Sequence, residues 1–176
     1  MNHVIKTISE RSSTRGYTPA PLTEEELDIL LQAGLQAPTA ANKQELHFTV
    51  LPGSHPILQE LEDEKNKLRD ITSPPHNFYY EAPAVVIISA DSTFKWGTLD
   101  AGIAVENMAL AAESLGLGNL IIGCILDAMT GEKKEYFSQA LQLPPSYEYK
   151  IAIAFGHKAV TKAPHTYDAG AQITRL

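Results

Sequence analysis

Residues 100–124, DAGIAVENMALAAESLGLGNLIIGC, decide how the rest of the chain is read. From about residue 97 to residue 116 the spacing predicts a helix with one narrow polar stripe: Asp100, Glu106, Asn107, Glu113 and Ser114. Nearly every other position is Ala, Ile, Val, Met or Leu, and a helix apolar around most of its circumference must be covered on most sides. One sheet covers only one side, so the pattern asks for a partner subunit against the remainder. Gly116 and Gly118 read as the C-cap and exit turn. NLIIGCI, residues 119–125, reads as a buried strand.

Working outward, AVVIISA at 84–90 and EYKIAIAFG at 148–156 are two more apolar runs of the kind buried on both faces of a sheet. LHFTVL at 46–51 adds another strand. Helices are expected over residues 2–9, from Thr23, from Ser54 and from Thr130. Thr23 with Glu26 makes a capping box, and Leu27, Leu30, Leu31 and Gly34 lie on one face of the helix that follows. Pro38 should end that helix. DITSPPHNFYYEAP at 70–83 is a loop, and its Phe78, Tyr79 and Tyr80 either cover a pocket or anchor the loop to the core. AQITRL at the C-terminal end looks strand-like with no pairing partner nearby. Helices and strands intermix along a single domain, residues 1–176.

The chain has 176 residues, a formal charge of -7 and one cysteine. That length can bury a core without disulfides, and the lone Cys124 fits a reducing compartment. The acidic balance argues against nucleic-acid or anionic-membrane binding. The opening MNHVIKTISERSSTR lacks the apolar stretch of a signal peptide, and no run approaches the ~20 apolar residues of a membrane span. A cytoplasmic protein is the expectation.

Several chemistries are excluded. No Walker A sequence occurs, and the six histidines never take metal-ligand spacing. GLGNLI at 116–121 follows a helix and leads into a strand, the reverse of a dinucleotide fingerprint. Cys124 within an apolar run reads as a small hydrophobe. What remains is RSSTR at 11–15, two arginines and three hydroxyls with no acid between them. It is either a solvated loop or a phosphate cradle, since guanidinium binds phosphate bidentately. APTAANKQ at 37–44 places Asn42 and Gln44 where their amides could pair with the imide edge of a heterocycle, or it is an ordinary connection.

Together, in this order, these segments resemble the nitroreductase family of flavin enzymes. RSSTRGY is similar to the family's R-R-S-x-R-x-F/Y opening, APTAANKQ to A-P-S-x-x-N-x-Q, and APAVVIISA to its central strand. Residues 100–124 resemble D-x-G-x-A-x-x-N-x-x-L-A-A-x-x-x-G-L-G-x-x-x-I-G-G, and IAIAFGHKA resembles its closing strand and turn. The resemblance implies an α+β fold with a mixed central sheet flanked by helices, an intertwined homodimer, and FMN at each subunit seam. It implies that Arg11, Ser12, Ser13 and Arg15 hold the FMN phosphate and ribityl edge. Pro38, Thr39 and Ala40 would border the ring from the other subunit, with Asn42 and Gln44 near its pyrimidine edge. Backbone at Ile122 and Gly123 would face the flavin N5 region, and Lys162 and His165 would stand where the family has further phosphate contacts.

Three positions depart from that pattern. Ser12 replaces an arginine, Cys124 replaces a second glycine, and KAPH at 162–165 replaces K-x-R. If His165 does touch phosphate, FMN affinity should weaken as pH rises through its titration. The implied activity is hydride transfer from NAD(P)H through FMN to a nitroaromatic, quinone or similar small acceptor, with ping-pong kinetics and no catalytic side chain or metal. Alternatives are a non-catalytic flavin- or nucleotide-binding or sensing protein, or a flavin dehydrogenase or dehalogenase on the same scaffold.

Overall fold

In this computed structural model, which describes residues 2–164 and 166–176, an antiparallel sheet lies between two helical layers. Its strands are β1 (Leu46–Pro52), β2 (Ala84–Asp91), β3 (Leu117–Ile122) and β4 (Tyr147–His157), in the order β1-β2-β4-β3. β2 and β4 are central, which is why their apolar runs are continuous. Val85 and Ile87 enter one core layer, while Val86 and Ile88 enter the other.

Helices α2 (Glu24–Leu35) and α4 (Gly97–Ser114) lie on one side of the sheet, and α1 (His3–Glu10) rests on α4. Helices α3 (Pro56–Leu68), α5 (Leu126–Thr130) and α6 (Lys134–Ala140) lie on the other. The Thr23–Glu26 capping box forms with both of its hydrogen bonds. Phe78 and Tyr79 are buried in the second layer, so the 70–83 loop is anchored to the core through its aromatics.

Several expectations need correction. Among the described residues the strands pair antiparallel rather than as a mixed sheet, and the one parallel pairing is the isolated bridge between Ser13 and Asn119. β3 starts at Leu117, so Gly118 is inside the strand and only Gly116, at φ 75°, makes the left-handed exit turn. His55, not Ser54, caps α3, with Pro56 at its first position. Thr130 ends α5 instead of opening a helix, its hydroxyl donating to the Leu126 carbonyl.

The expected C-terminal strand is a short helix, α7 (Ala169–Gln172), followed by extended residues. Asp168 caps it by accepting from the amides of Gly170 and Ala171.

The stripe on α4 is a solvent face only in part, with Ser114 exposed and the Glu106 side chain half-exposed. Asp100 is buried, Asn107 donates to the Ala33 carbonyl, and Glu106 and Glu113 face Arg11 and Lys158. Exposed as well are apolar Leu99 (59%) and Ile103 (42%), one helical turn apart. Among the described residues, no helix is long and apolar enough to cross a membrane.

Candidate functional site

The RSSTRGY segment is a strap across one end of the sheet. Thr14 N donates to the Asn119 carbonyl at 2.8 Å, and Tyr17 bridges to Lys158 at the end of β4. Gly118 makes the seat: a Cβ there would come within 2.8 Å of the Thr14 side chain. Asn119 is fully buried and holds the same seat, its amide donating to the Ala109 carbonyl of α4. Tyr17 donates to the Thr14 carbonyl, and burial raises its phenol far above the ordinary value.

The strap leaves its donors near the surface. Ser12 and Ser13 are half-buried, Arg15 is exposed, and Arg11 lies 3.7 Å from Glu106. Ser12 Oγ donates to the Lys162 carbonyl, so Ser12 and Lys162 do come together. They border a cleft of about 200 Å³ with Thr14, Glu113 and Lys158. His165 lies outside the described residues.

From this strap β3 leads to the other candidates on the same half. Ile122 is the last ladder residue, paired with Ala152, and Gly123 follows it, exposed. A Cβ on Gly123 would meet only Ile151 Cδ1 at 3.8 Å, so packing does not demand glycine there. Four residues of strand separate Asn119 from Gly123, about 13 Å. The strap and the open peptide thus lie about four residues apart along one strand, β3. The half-buried Cys124 thiol is raised mainly by burial, opposed by Lys65 and Arg69, which leaves it a poor nucleophile.

The second cluster is elsewhere. Thr39 accepts from Gln44 N through its hydroxyl and from Asn42 N through its carbonyl, folding the 39–44 loop onto itself. Ala41, Asn42 and Gln44 all have φ near +50° (53°, 52° and 51°), unfavourable for residues with side chains. Asp100 braces this loop by accepting from Ala40 N at 3.0 Å. Next to it the Glu45 carboxyl has both oxygens buried without a partner. Its pKa is raised, chiefly by desolvation and then by Asp100 and Asp91. Pro38, Asn42 and Gln44 are exposed, with Thr39 and Ala40 half-buried.

Within one chain these clusters do not meet. Asp100 stands near the start of α4; Arg11 faces Glu106, about 9 Å further along the helix, and Glu113, which borders the Ser12 cleft, is about 20 Å along it. β1, which leaves the 39–44 loop, is three strands from β3, or about 14 Å. Pattern reading missed Asn119 and misplaced Asp100. A polar residue opening an apolar strand, and an acid opening an apolar helix, were the available signals.

The family model for the Nitroreductase family matches residues 8–157. The chain belongs to the nitroreductase family. It is similar to a nitroreductase with bound FMN from Desulfitobacterium hafniense DCB-2, with a TM-score of 0.89, 29% identity, and 100% of this chain and 99% of that one covered. A nitroreductase with bound FMN from Bacteroides fragilis NCTC 9343 also gives a TM-score of 0.89, at 27% identity with both chains fully covered. The FMN reductase [NAD(P)H] of Bacillus subtilis (strain 168) is 29% identical over 178 residues, 90% of this chain and 67% of that protein. The NADPH-flavin oxidoreductase of Vibrio harveyi is 26% identical, covering 89% of this chain and 66% of its own length. The chain thus spans about two thirds of these two curated relatives, and nearly all of the two solved nitroreductases.

Proposed function

We propose that residues 1–176 form one FMN-binding domain that works as a homodimeric, NAD(P)H-dependent flavin oxidoreductase in a reducing, cytoplasmic compartment. The observation that carries this reading is that the donor-rich strap and the Ile122–Gly123 peptide are both set on β3. Arg11, Ser12, Ser13, Arg15 and Lys162 supply guanidinium, hydroxyl and ammonium donors at one end, the chemistry a phosphate requires. Gly123 leaves the other end open without being required by packing, which suits close approach of a flat ring. FMN, when bound, supplies the hydride chemistry between NAD(P)H and a nitroaromatic, quinone or similar acceptor.

This chain's residues then bind and orient. Arg11 and Arg15 fix the phosphate, Ile122 and Gly123 face the N5 region, and Pro38, Thr39 and Ala40 border the ring from the second subunit. Asn42 and Gln44 present amides to its pyrimidine edge. The separation of the two clusters within one chain supports that division, and so does the exposed apolar Leu99–Ile103 face of α4, which a second copy would cover. One open face serving both substrates in turn gives ping-pong kinetics.

The test is direct. The purified protein should carry a flavin spectrum that bleaches on adding NAD(P)H and returns on adding a quinone. FMN-loaded protein that NAD(P)H never bleaches would leave a binding protein as the better reading.

A further inference from the structure

Tyr149 is a buried hydroxyl that the reading above does not use. β2 and β4 pair in regular register as far as Ile88↔Ile151, and the next pair is Ser89↔Tyr149, which leaves Lys150 as an extra residue. Such a bulge turns the following side chains to the other face of the sheet. Ile151, Ile153 and Phe155 point into the α2/α4 layer, and regular alternation would send Tyr149 there as well. It lies instead in the opposite layer, with Ile122 and Met129, and its hydroxyl donates to the Ile122 carbonyl at 2.8 Å. Burial raises its pKa far above the ordinary phenol value, so it remains a donor at any working pH.

The Ile122 carbonyl and the Gly123 N–H belong to one peptide unit. No cis peptide occurs among the described residues, so this unit is planar and trans, with N–H and C=O pointing in opposite directions. A carbonyl drawn towards β4 by Tyr149 therefore turns the Gly123 N–H outward, off the open edge of β3. Donation to the carbonyl also polarises the unit and strengthens its N–H as a donor.

We infer that Tyr149 is a positioning residue: through the Ile122 carbonyl it aims the Gly123 N–H at the flavin ring and tunes its strength. This rests on the proposed FMN site. The bulge at Lys150 is the local device that makes it possible.

The sequence allows a specific probe, because Ile122–Gly123 is its one Ile-Gly pair. Labelling Ile carbonyls with 13C and Gly amides with 15N gives a single carbonyl-to-amide NMR cross-peak, measurable without FMN. In Tyr149→Phe the amide proton of that peak should shift upfield, with most of the thermal stability kept. In the loaded protein the flavin midpoint potential should shift, and reduction by NAD(P)H should slow roughly tenfold. An unmoved cross-peak, or a moved one with potential and reduction rate unchanged, overturns the inference and leaves Tyr149 a packing residue. Should Y149F not fold, the wild-type peak decides. Its Ile122 carbonyl must have the chemical shift of a hydrogen-bonded group and its amide must move on FMN addition; failure of either overturns the inference. A wild-type chain that takes up no FMN instead overturns the functional reading itself.

Discussion

The strap at residues 11–17 and the loop at residues 38–44 carry comparable sets of donors, and the fold holds them by opposite means. The strap is tied to both strands it crosses by main-chain hydrogen bonds, from Thr14 N to the Asn119 carbonyl on β3 and, just past its end, from Thr18 N to the His157 carbonyl on β4. The loop turns on itself through Thr39 and depends on a distant carboxylate, Asp100, to hold residues whose own backbone angles are unfavourable. A phosphate cradle must present fixed charges, so rigid seating suits it. A ring border contributed to a second subunit can be shaped by that subunit, so a braced but costly conformation is tolerable there.

The contrast can be broken on its stronger side first. Arg11→Ala with Arg15→Ala should weaken FMN binding by at least ~100-fold, because charge-assisted hydrogen bonds contribute about 1.5–3 kcal/mol each. The strap itself should stay seated, so the thermal midpoint should change little. Fluorescence titration and a thermal melt read the two together; a double variant that still purifies fully loaded contradicts the phosphate assignment.

On the loop side, Asp100→Ala leaves the Ala40 N–H without its acceptor and should cost about 1–3 kcal/mol of stability. Asp100→Asn retains an acceptor and should recover most of that loss in denaturant unfolding. Gly123→Ala should fold normally, within about 0.5 kcal/mol of the parent, because its new Cβ makes only an ordinary contact with Ile151. Its FMN affinity should nonetheless fall, by up to ~10-fold, if the ring lies close to that peptide.

The smallest effect belongs to Glu45. Its carboxyl is raised by desolvation and by Asp100 and Asp91, so the protonated form is favoured in the folded state. The stabilisation is complete below the unfolded-state pKa and is lost as pH rises through the folded one. Glu45→Gln cannot ionise, so its melting temperature relative to wild type should climb across that window and then level off. Parallel pH profiles would contradict the burial described for this carboxyl.

What the sequence made legible was local. Thr23 and Glu26 stand three residues apart and cap α2 as the pattern requires, and the apolar runs of β2 and β4 announce strands covered on both faces. RSSTRGY and APTAANKQ could be read as loops rich in donors, and residues 97–116 as a helix needing more cover than one chain offers. What stayed hidden depends on partners distant in sequence. Asp100 looked like part of a polar stripe because its hydrogen-bond donor, Ala40 N, is sixty residues away. Tyr149 looked like one residue of a strand buried on both faces because a bulge leaves no periodic trace. The strand expected at AQITRL gave way at its start to a turn of helix, whose first amides Asp168 satisfies.

The central claim is that strap and loop from different copies complete each site. Two variants can be mixed under conditions that exchange subunits: Arg11→Ala/Arg15→Ala, which spoils the strap, and Ala40→Trp, which fills the ring border. Neither should bind FMN alone. Random pairing puts both lesions into one of the two sites of each mixed dimer and leaves the other intact, so about a quarter of all sites should recover FMN. No recovery in mixtures whose subunits demonstrably exchange would contradict the shared site.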